Sequence, residues 1–244
     1  MAMNQDDFRD HIATADEHGK RNWIYPKKPT GKYYNARTLV SIVLLVFLFA
    51  APFVKVNGDQ LMLFNIIDRH FILFGYTFWP QDFYLFVIAM LTALVMIVLF
   101  TSIFGRLWCG WACPQTIFME MVFRKIEYWI EGDSSEQKRL DKQDWNTNKA
   151  VKKISKHVIF YLISFAIANT FLAYIVGSDE LIKIISEPVS NHLSGFITIN
   201  IFTLLFYGVF ARFREQACVI VCPYGRYQSV MVNEDTIAVT YDFE

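Results

Sequence analysis

Apolar residues along this chain fall into four long blocks, near 38–56, 83–104, 157–176 and 195–212, and the charges gather in the segments between them. A helix rises about 1.5 Å per residue, so roughly 20 apolar residues cross a hydrocarbon core of about 30 Å. Leu39 to Val54 carries no charge, and the second block, apart from Tyr84, Thr92, Thr101 and Ser102, is wholly apolar. The third, from Val158 to Val176, is equally clean. The fourth includes Gly195, Asn200 and Gly208, which a membrane helix accommodates where it faces other helices. The pattern predicts an all-α membrane protein of about four transmembrane helices.

The polar segments orient the spans. Lysine and arginine number 7 before the first span, 2 between the first and second, 10 between the second and third, 1 between the third and fourth, and 3 after the fourth. Cytoplasmic loops are enriched in these residues, which places the N-terminus, the 105–156 loop and the C-terminus inside. Trp23, Tyr25, Tyr33, Tyr34, Trp79 and Tyr84 have the character of interfacial anchors that set depth. Residues 1–36, with Asp6, Asp7 and Asp10 among the charges, are too acidic for a signal peptide or presequence and form a cytoplasmic N-terminal segment. The outer stretch Leu61–Phe71, apolar and charged by turns, reads as an element lying along the membrane surface. Residues 131–156, charged throughout and lacking apolar periodicity, read as a solvated cytoplasmic loop that is at most partly helical.

An internal repeat follows from this topology. Residues 37–130 hold one helix pair and a following helix, residues 157–232 hold a second pair, and each pair ends on the inner side in the same cysteine pattern. Phe104-Gly105-Arg106-Leu107-Trp108-Cys109-Gly110-Trp111-Ala112-Cys113-Pro114 corresponds to Phe213-Arg214-Glu215-Gln216-Ala217-Cys218-Val219-Ile220-Val221-Cys222-Pro223. Two spans per half leave both copies in the same orientation, so an axis along the membrane normal would bring both pairs to one level.

Composition adds less. The sequence is 54% hydrophobic with a formal net charge of zero, which offers no basic surface for nucleic acid. Its four cysteines are paired in sequence, unlike the scattered set of a disulfide-stapled secreted domain, and are read as reduced.

Those cysteines carry the candidate chemistry. Proline disfavours helical geometry at the residue before it and suits the first position of a new helix, so Cys113 and Cys222 are expected to cap helices begun by Pro114 and Pro223. The positive helix end favours a thiolate there, and Arg106 and Arg226 would add to the effect. Four gathered thiolates match a 4Fe-4S cluster, structural zinc or soft copper(I). Met119, Met121 and Met231 are soft thioethers whose usual role is packing. His157, His70 and His192 are lone histidines, and Asp68-Arg69 reads as an exposed pair of little energetic weight.

At these residues the chain resembles the cytochrome c oxidase accessory proteins known as CcoG, FixG or RdxA, within the membrane-bound polyferredoxins. The likeness runs through Ile24-Tyr25-Pro26 with Gly31 and Arg37, Asp68-Arg69 with Phe71, and Phe78-Trp79-Pro80-Gln81-Asp82. It is most specific at Gly105–Trp111 with Cys113-Pro114-Gln115-Thr116, and at Cys218 to Cys222 with Pro223-Tyr224-Gly225-Arg226. The resemblance implies a multi-pass bacterial inner-membrane redox protein that reduces copper(II) to copper(I) and binds copper for maturation of a cbb-type oxidase. Cys109, Cys113, Cys218 and Cys222 would be its catalytic, cofactor-binding and metal-binding residues. The implied partners are membrane lipid, copper ions, oxidase assembly factors or a copper transporter, and a second copy in a homodimer. The family's ferredoxin domain, which would begin at 233–244, is expected to be absent, because the chain has no Cys-x-x-Cys-x-x-Cys run. Its clusters would then not be encoded here. Two other readings use the same cysteines: an iron-sulfur electron-transfer subunit of a quinol-oxidising system, and a non-redox scaffold that packs them or binds zinc.

Overall fold

The computed structural model describes residues 21, 23–56, 59–65, 70–73, 75–79, 83–186, 193–231 and 236–237. Asp68-Arg69, His192 and the acidic residues of the N-terminal segment lie outside the described residues, and only the backbone is described at His70 and Arg226.

Four helices are long and apolar enough to cross a membrane: Lys32–Ala50, Tyr84–Phe104, Thr147–Val176 and Leu193–Phe213. We label the helices α1 (Lys32–Ala50), α2 (Phe83–Phe104), α3 (Leu107–Trp111), α4 (Pro114–Ile117), α5 (Arg124–Ile130), α6 (Ser134–Lys142), α7 (Thr147–Val176), α8 (Ser178–Ser186), α9 (Leu193–Gly208) and α10 (Pro223–Met231). Three π-helical stretches interrupt this order. Phe118–Phe123 joins α4 to α5, Val209–Phe213 continues α9, and Ala217–Val221 precedes α10.

The first span begins and ends earlier than its apolar block, because the chain turns at Ala51-Pro52-Phe53 and enters β-structure at Lys55. The outer segment, expected as an element along the membrane surface, is made of strands among its described residues. Strands β1 (Lys55–Val56) and β2 (Asp59–Gln60) pair antiparallel, and β3 (Met62–Asn65), β4 (His70–Leu73) and β5 (Tyr76–Phe78) form a second antiparallel sheet in chain order. Facing partners such as Leu63 with Ile72 are both buried, the signature of a strand pair with one covered face. The alternation of Leu61–Phe71 was therefore a two-residue period.

The interactions sort by membrane side as the charge count requires. On the outer side, Lys55 pairs with Asp179 at 2.8 Å, Gln60 bonds Ser178, and Gly177, at φ +102°, ends α7 against Leu63. On the inner side, Ser134 donates to the Tyr25 carbonyl at 2.8 Å, the Lys28 amide bonds Asp133 at 3.0 Å, and Tyr25 donates to Asp141.

The core lies towards the inner side. Phe118 and Phe123, from the helical run after the first cysteine motif, pack with Phe160 and Ile167 of α7 and Phe210 of the fourth span. Phe123 stacks on Phe210 at 4.7 Å between centroids and meets Phe160 edge-on at 4.9 Å, geometries that aromatic quadrupoles favour. Leu45, Leu48 and Phe49 of α1 pack against the same cluster. Span α2 stands apart, with Leu91, Leu94, Val95 and Met96 exposed on the side a bilayer would cover.

Helix covers most of the loop at 131–156, more than the partial helix expected, and the segment is partly buried where solvation was expected. Asn146 accepts the Thr147 amide at 2.8 Å and starts α7 ten residues before its apolar block. Lys149 and Lys156 turn inward. Lys149 donates to the carbonyls of Asp141 and Gln143, while Lys156 reaches Glu127 at 3.2 Å and Glu131 at 2.7 Å. Arg214 completes the network with two parallel bonds of 2.9 Å to Glu127. Trp23 is no simple depth anchor, because its ring lies against the guanidinium groups of both Arg21 (4.3 Å) and Arg214 (4.6 Å).

Burial alone would raise the Glu127 carboxyl pKa, but the bonds and charge of Arg214, with Lys156, hold it below its ordinary value of 4.5. A carboxylate so depressed contributes stability that is fully present above its unfolded-state pKa and is lost as pH falls through the lower native value. Circular dichroism in detergent should therefore show helix loss on acidification below about pH 4.5, and Glu127→Gln should be less stable at neutral pH with a shallower acid transition. Arg214→Met should destabilise the fold by roughly 3–5 kcal/mol, because it leaves a buried carboxylate one partner short. Glu127→Leu combined with Arg214→Met should recover much of that loss, read as the midpoint of thermal unfolding.

Candidate metal centre

Each cysteine pair follows a span through a chain reversal. In the first copy the reversal is at Gly105, with φ +55°. The repeat equates Gly105 with Arg214, which at φ +47° is the only non-glycine residue with positive φ among the described residues. Glycine adopts that region freely, whereas arginine does so at a cost of order 1–3 kcal/mol and only where its surroundings hold it. The double bond to Glu127 and the contact with Trp23 supply that hold.

The two motifs then close in the same way. The Cys113 amide bonds the Trp108 carbonyl at 3.1 Å and the Cys222 amide bonds the Ala217 carbonyl at 2.9 Å. Both bonds reach back five residues, one more than an α-helix, giving the widened turn common at functional sites. Cys113 and Cys222 follow in extended conformation, at φ −64°, ψ 122° and φ −72°, ψ 113°, as a residue before proline must. Pro114 and Pro223 each begin a helix. The capping expectation holds in backbone form, with no hydrogen bond from the Cys113 side chain.

The fold brings the pairs together. All four cysteines are free and half-buried. Burial, followed by the charges of Cys113, Cys222 and Cys218, pushes the Cys109 thiol up to about 11. Burial, Cys113, Cys222 and Glu215 raise Cys218 as well. Arg106 pulls Cys109 the other way, as its proximity suggests, but is outweighed. The first cysteine of each pair thus rests as a thiol, and a bound cation would have to displace its proton. Among the described residues, no three His, Cys, Asp or Glu side chains form a group able to hold a single metal ion.

Two residues beyond the cysteines tie the copies into one unit, and a third packs within the second copy. Gln228, buried on α10, donates to the Gly105 carbonyl at 3.1 Å, and its side-chain oxygen lies 3.9 Å from the Cys109 sulfur. The Tyr224 hydroxyl meets Thr101 of α2 at 2.7 Å. Gly225 lies against the second motif so closely that an added Cβ would sit 2.5 Å from the Cys218 carbonyl oxygen. The buried side-chain NH2 of Gln115, two residues past Cys113, has no hydrogen-bond partner. Such an orphaned donor suits an acceptor beside the cysteines, and the sulfides of a cluster are acceptors. Gln115, Tyr224 and Gly225 stood in the family-like strings of the sequence, whereas Gln228 carried no signal there.

The other candidates lie elsewhere. Met119 and Met121 are buried, Met119 within the aromatic core and Met121 within 3.8 Å of the Thr38 hydroxyl. They serve packing. Met231 ends α10, and His157 bonds Tyr207 in a groove between α7 and α9.

Comparisons with known proteins bear on what the cysteines hold. Residues 86–132, containing Cys109 and Cys113, match the family described as "4Fe-4S binding domain". Residues 213–244, containing Cys218 and Cys222, match "4Fe-4S dicluster domain". Two expectations are thereby corrected. The chain does encode iron-sulfur domain signatures, and the findings point to iron-sulfur redox chemistry in place of copper handling. The physical reason is that soft thiolates suit copper(I), zinc and iron-sulfur clusters alike, so the donor set alone could not choose.

The chain is 32% identical over 232 residues to "Nitrogen fixation protein FixG" of Rhizobium meliloti, a match covering 91% of this chain and 43% of that protein. It is 32% identical to "Protein RdxB" of Cereibacter sphaeroides, covering 93% of this chain and 48% of the relative, and 34% identical to "Protein RdxA" of the same organism, covering 91% and 48%. The chain thus spans about half the length of the curated relatives it matches. No solved structure matches it. With its four candidate spans and two 4Fe-4S domain signatures, the chain is homologous to about half of each of the FixG, RdxA and RdxB proteins and is a multi-pass protein of the bacterial inner membrane.

Proposed function

We propose that this chain is the membrane part of an iron-sulfur electron-transfer protein, in which Cys109, Cys113, Cys218 and Cys222 together hold one 4Fe-4S cluster at the cytoplasmic face. The observation that carries the reading is that each cysteine pair falls within its own 4Fe-4S domain match, while the fold sets both pairs within reach of one another's charge. A cluster takes one thiolate at each iron corner, so its ligands stand further apart than those of a single ion.

The chain's own residues have definable parts in this. Cys113 and Cys222 hold extended backbone just before the helices that Pro114 and Pro223 begin, Gly225 admits the second motif against α10, and the buried side-chain amide of Gln115, two residues past Cys113, is an unpartnered donor. A cluster bound there would accept and pass on single electrons. Half-burial of the cysteines would limit solvent access and so help set its potential.

Anaerobically purified protein should contain iron and acid-labile sulfide in equal amounts, with a reducible brown chromophore and a paramagnetic signal on reduction. Replacing all four cysteines by serine should abolish iron, sulfide and colour while leaving the helical signal in place. Stoichiometric zinc, or unchanged iron in the serine variant, would refute the assignment. Gly225→Ala should lower iron content, because the new methyl must displace α10 or the Cys218 carbonyl, a strain of about 1–3 kcal/mol. Elemental analysis of the two proteins side by side checks this.

A further inference from the structure

Between the inner halves of α7 and α9 lies a groove of about 830 Å³ that plays no part in the cysteine site. Its volume lies in the range of sites that enclose a small organic ligand. Its shallow end is polar, with Asp141, Lys149 and Lys153, and its deep end is apolar, with Val158, Leu162 and Leu204. Lys153 and Leu162 are nine residues apart on one helix, so the change spans about 14 Å along the helix axis. Midway sits one hydrogen-bonding pair, in which the Tyr207 hydroxyl is 2.7 Å from His157 Nδ1. The ring of Tyr161 meets Tyr207 edge-on at 6.2 Å.

Both lysines at the mouth already have hydrogen-bond partners. Lys149 donates to two backbone carbonyls, at 3.0 and 2.6 Å, and Lys153 is held by Asp141 at 2.7 Å and Glu131 at 3.4 Å. Among the described residues, no cation without hydrogen-bond partners lines the groove to take a phosphate, which argues against an anionic lipid headgroup. What remains open is neutral: an imidazole edge, a phenol and aromatic walls at the membrane interface, above a lipid-facing apolar floor.

We propose that this groove binds the headgroup of a quinone or quinol, a flat neutral ring whose oxygens meet His157 and Tyr207 and whose apolar tail lies along Val158, Leu162 and Leu204 into the bilayer. The inference deepens the iron-sulfur reading and rests on it for its purpose, since a quinol is an electron donor soluble in the membrane. The binding itself needs no cluster. Aromatic side chains also occupy the protein between the groove and the first motif, from Phe160 to Phe123 to Phe210 to Phe118, with successive centroids 4.9, 4.7 and 5.8 Å apart.

The test uses the full chain in lipid nanodiscs, titrated with a short-chain prenylated benzoquinone and followed by quenching of tryptophan fluorescence, to which Trp145 at the groove mouth contributes. Saturable quenching is expected. It should weaken about fivefold in Tyr207→Phe, the loss of one hydrogen bond, weaken further in His157→Phe, and vanish in Leu162→Trp, which fills the floor from a lipid-exposed position. The affinity should be the same in zwitterionic and anionic nanodiscs. Quenching that does not saturate, that is equal in all three variants, or that anionic lipid abolishes would overturn the proposal. The titration is repeated on protein stripped of iron, where binding should persist. A protein that binds quinone but never holds iron would therefore defeat the cluster reading alone, and one that holds iron without saturable quinone binding would defeat this one.

Discussion

The buried bond between Arg214 and Glu127 is the constraint on which the inner half of this protein depends. Both side chains are almost wholly covered, and each would be costly there alone. Together they join the helix after the first cysteine motif to the residue just before the second. The connection continues outward from Glu127 through Lys156, Glu131 and Lys153 to Asp141, and from Asp141 to Tyr25 near the N-terminus. A parallel link runs from Glu120 through Arg124 to Glu215. Charged residues thus do at the membrane surface what apolar packing does deeper in, and they fix the two halves in register close to the cysteines.

This explains which parts of the structure were legible in the sequence. Hydrocarbon leaves a helix no partner but itself, so long apolar blocks translate directly into spans, and the lysine and arginine asymmetry orients them. Proline restricts the residue before it locally, so the extended cysteines could be read without any knowledge of the fold. The run at 131–156 failed for the opposite reason. Lys149 and Lys156 look like solvated residues until Asp141, Gln143, Glu127 and Glu131 arrive from elsewhere to meet them. Burial of a charge depends on its partner, and partnership is a tertiary fact. Trp23 misled in the same way, because an aromatic residue near a span resembles a depth anchor unless the arginines it covers are known.

The cysteine site divides along the same line. Spacing and repetition singled out all four thiols, but soft donors are shared by copper(I), zinc and iron-sulfur clusters, so the sequence could rank these chemistries only by resemblance. Gln228 illustrates the remaining gap. A glutamine in a short amphipathic helix has no distinguishing pattern, and its value lies in reaching Gly105 and Cys109 across the interface between the two copies.

The repeat is most informative where it is broken. Duplication would place the same reversal in both halves, and the first copy meets it with Gly105, which costs almost nothing. The second copy uses Arg214, which accepts an unfavourable backbone conformation so that a guanidinium can stand where the chain turns. Glycine at that position would relieve the backbone and remove the side chain that makes two bonds to Glu127. The strain is therefore the counterpart of the buried ion pair, and it is confined to the copy whose motif must be fixed to the other half. The two halves have kept one cysteine geometry while dividing their labour: the first presents a relaxed turn that receives Gln228 at its carbonyl, and the second carries the charge that locks both in place.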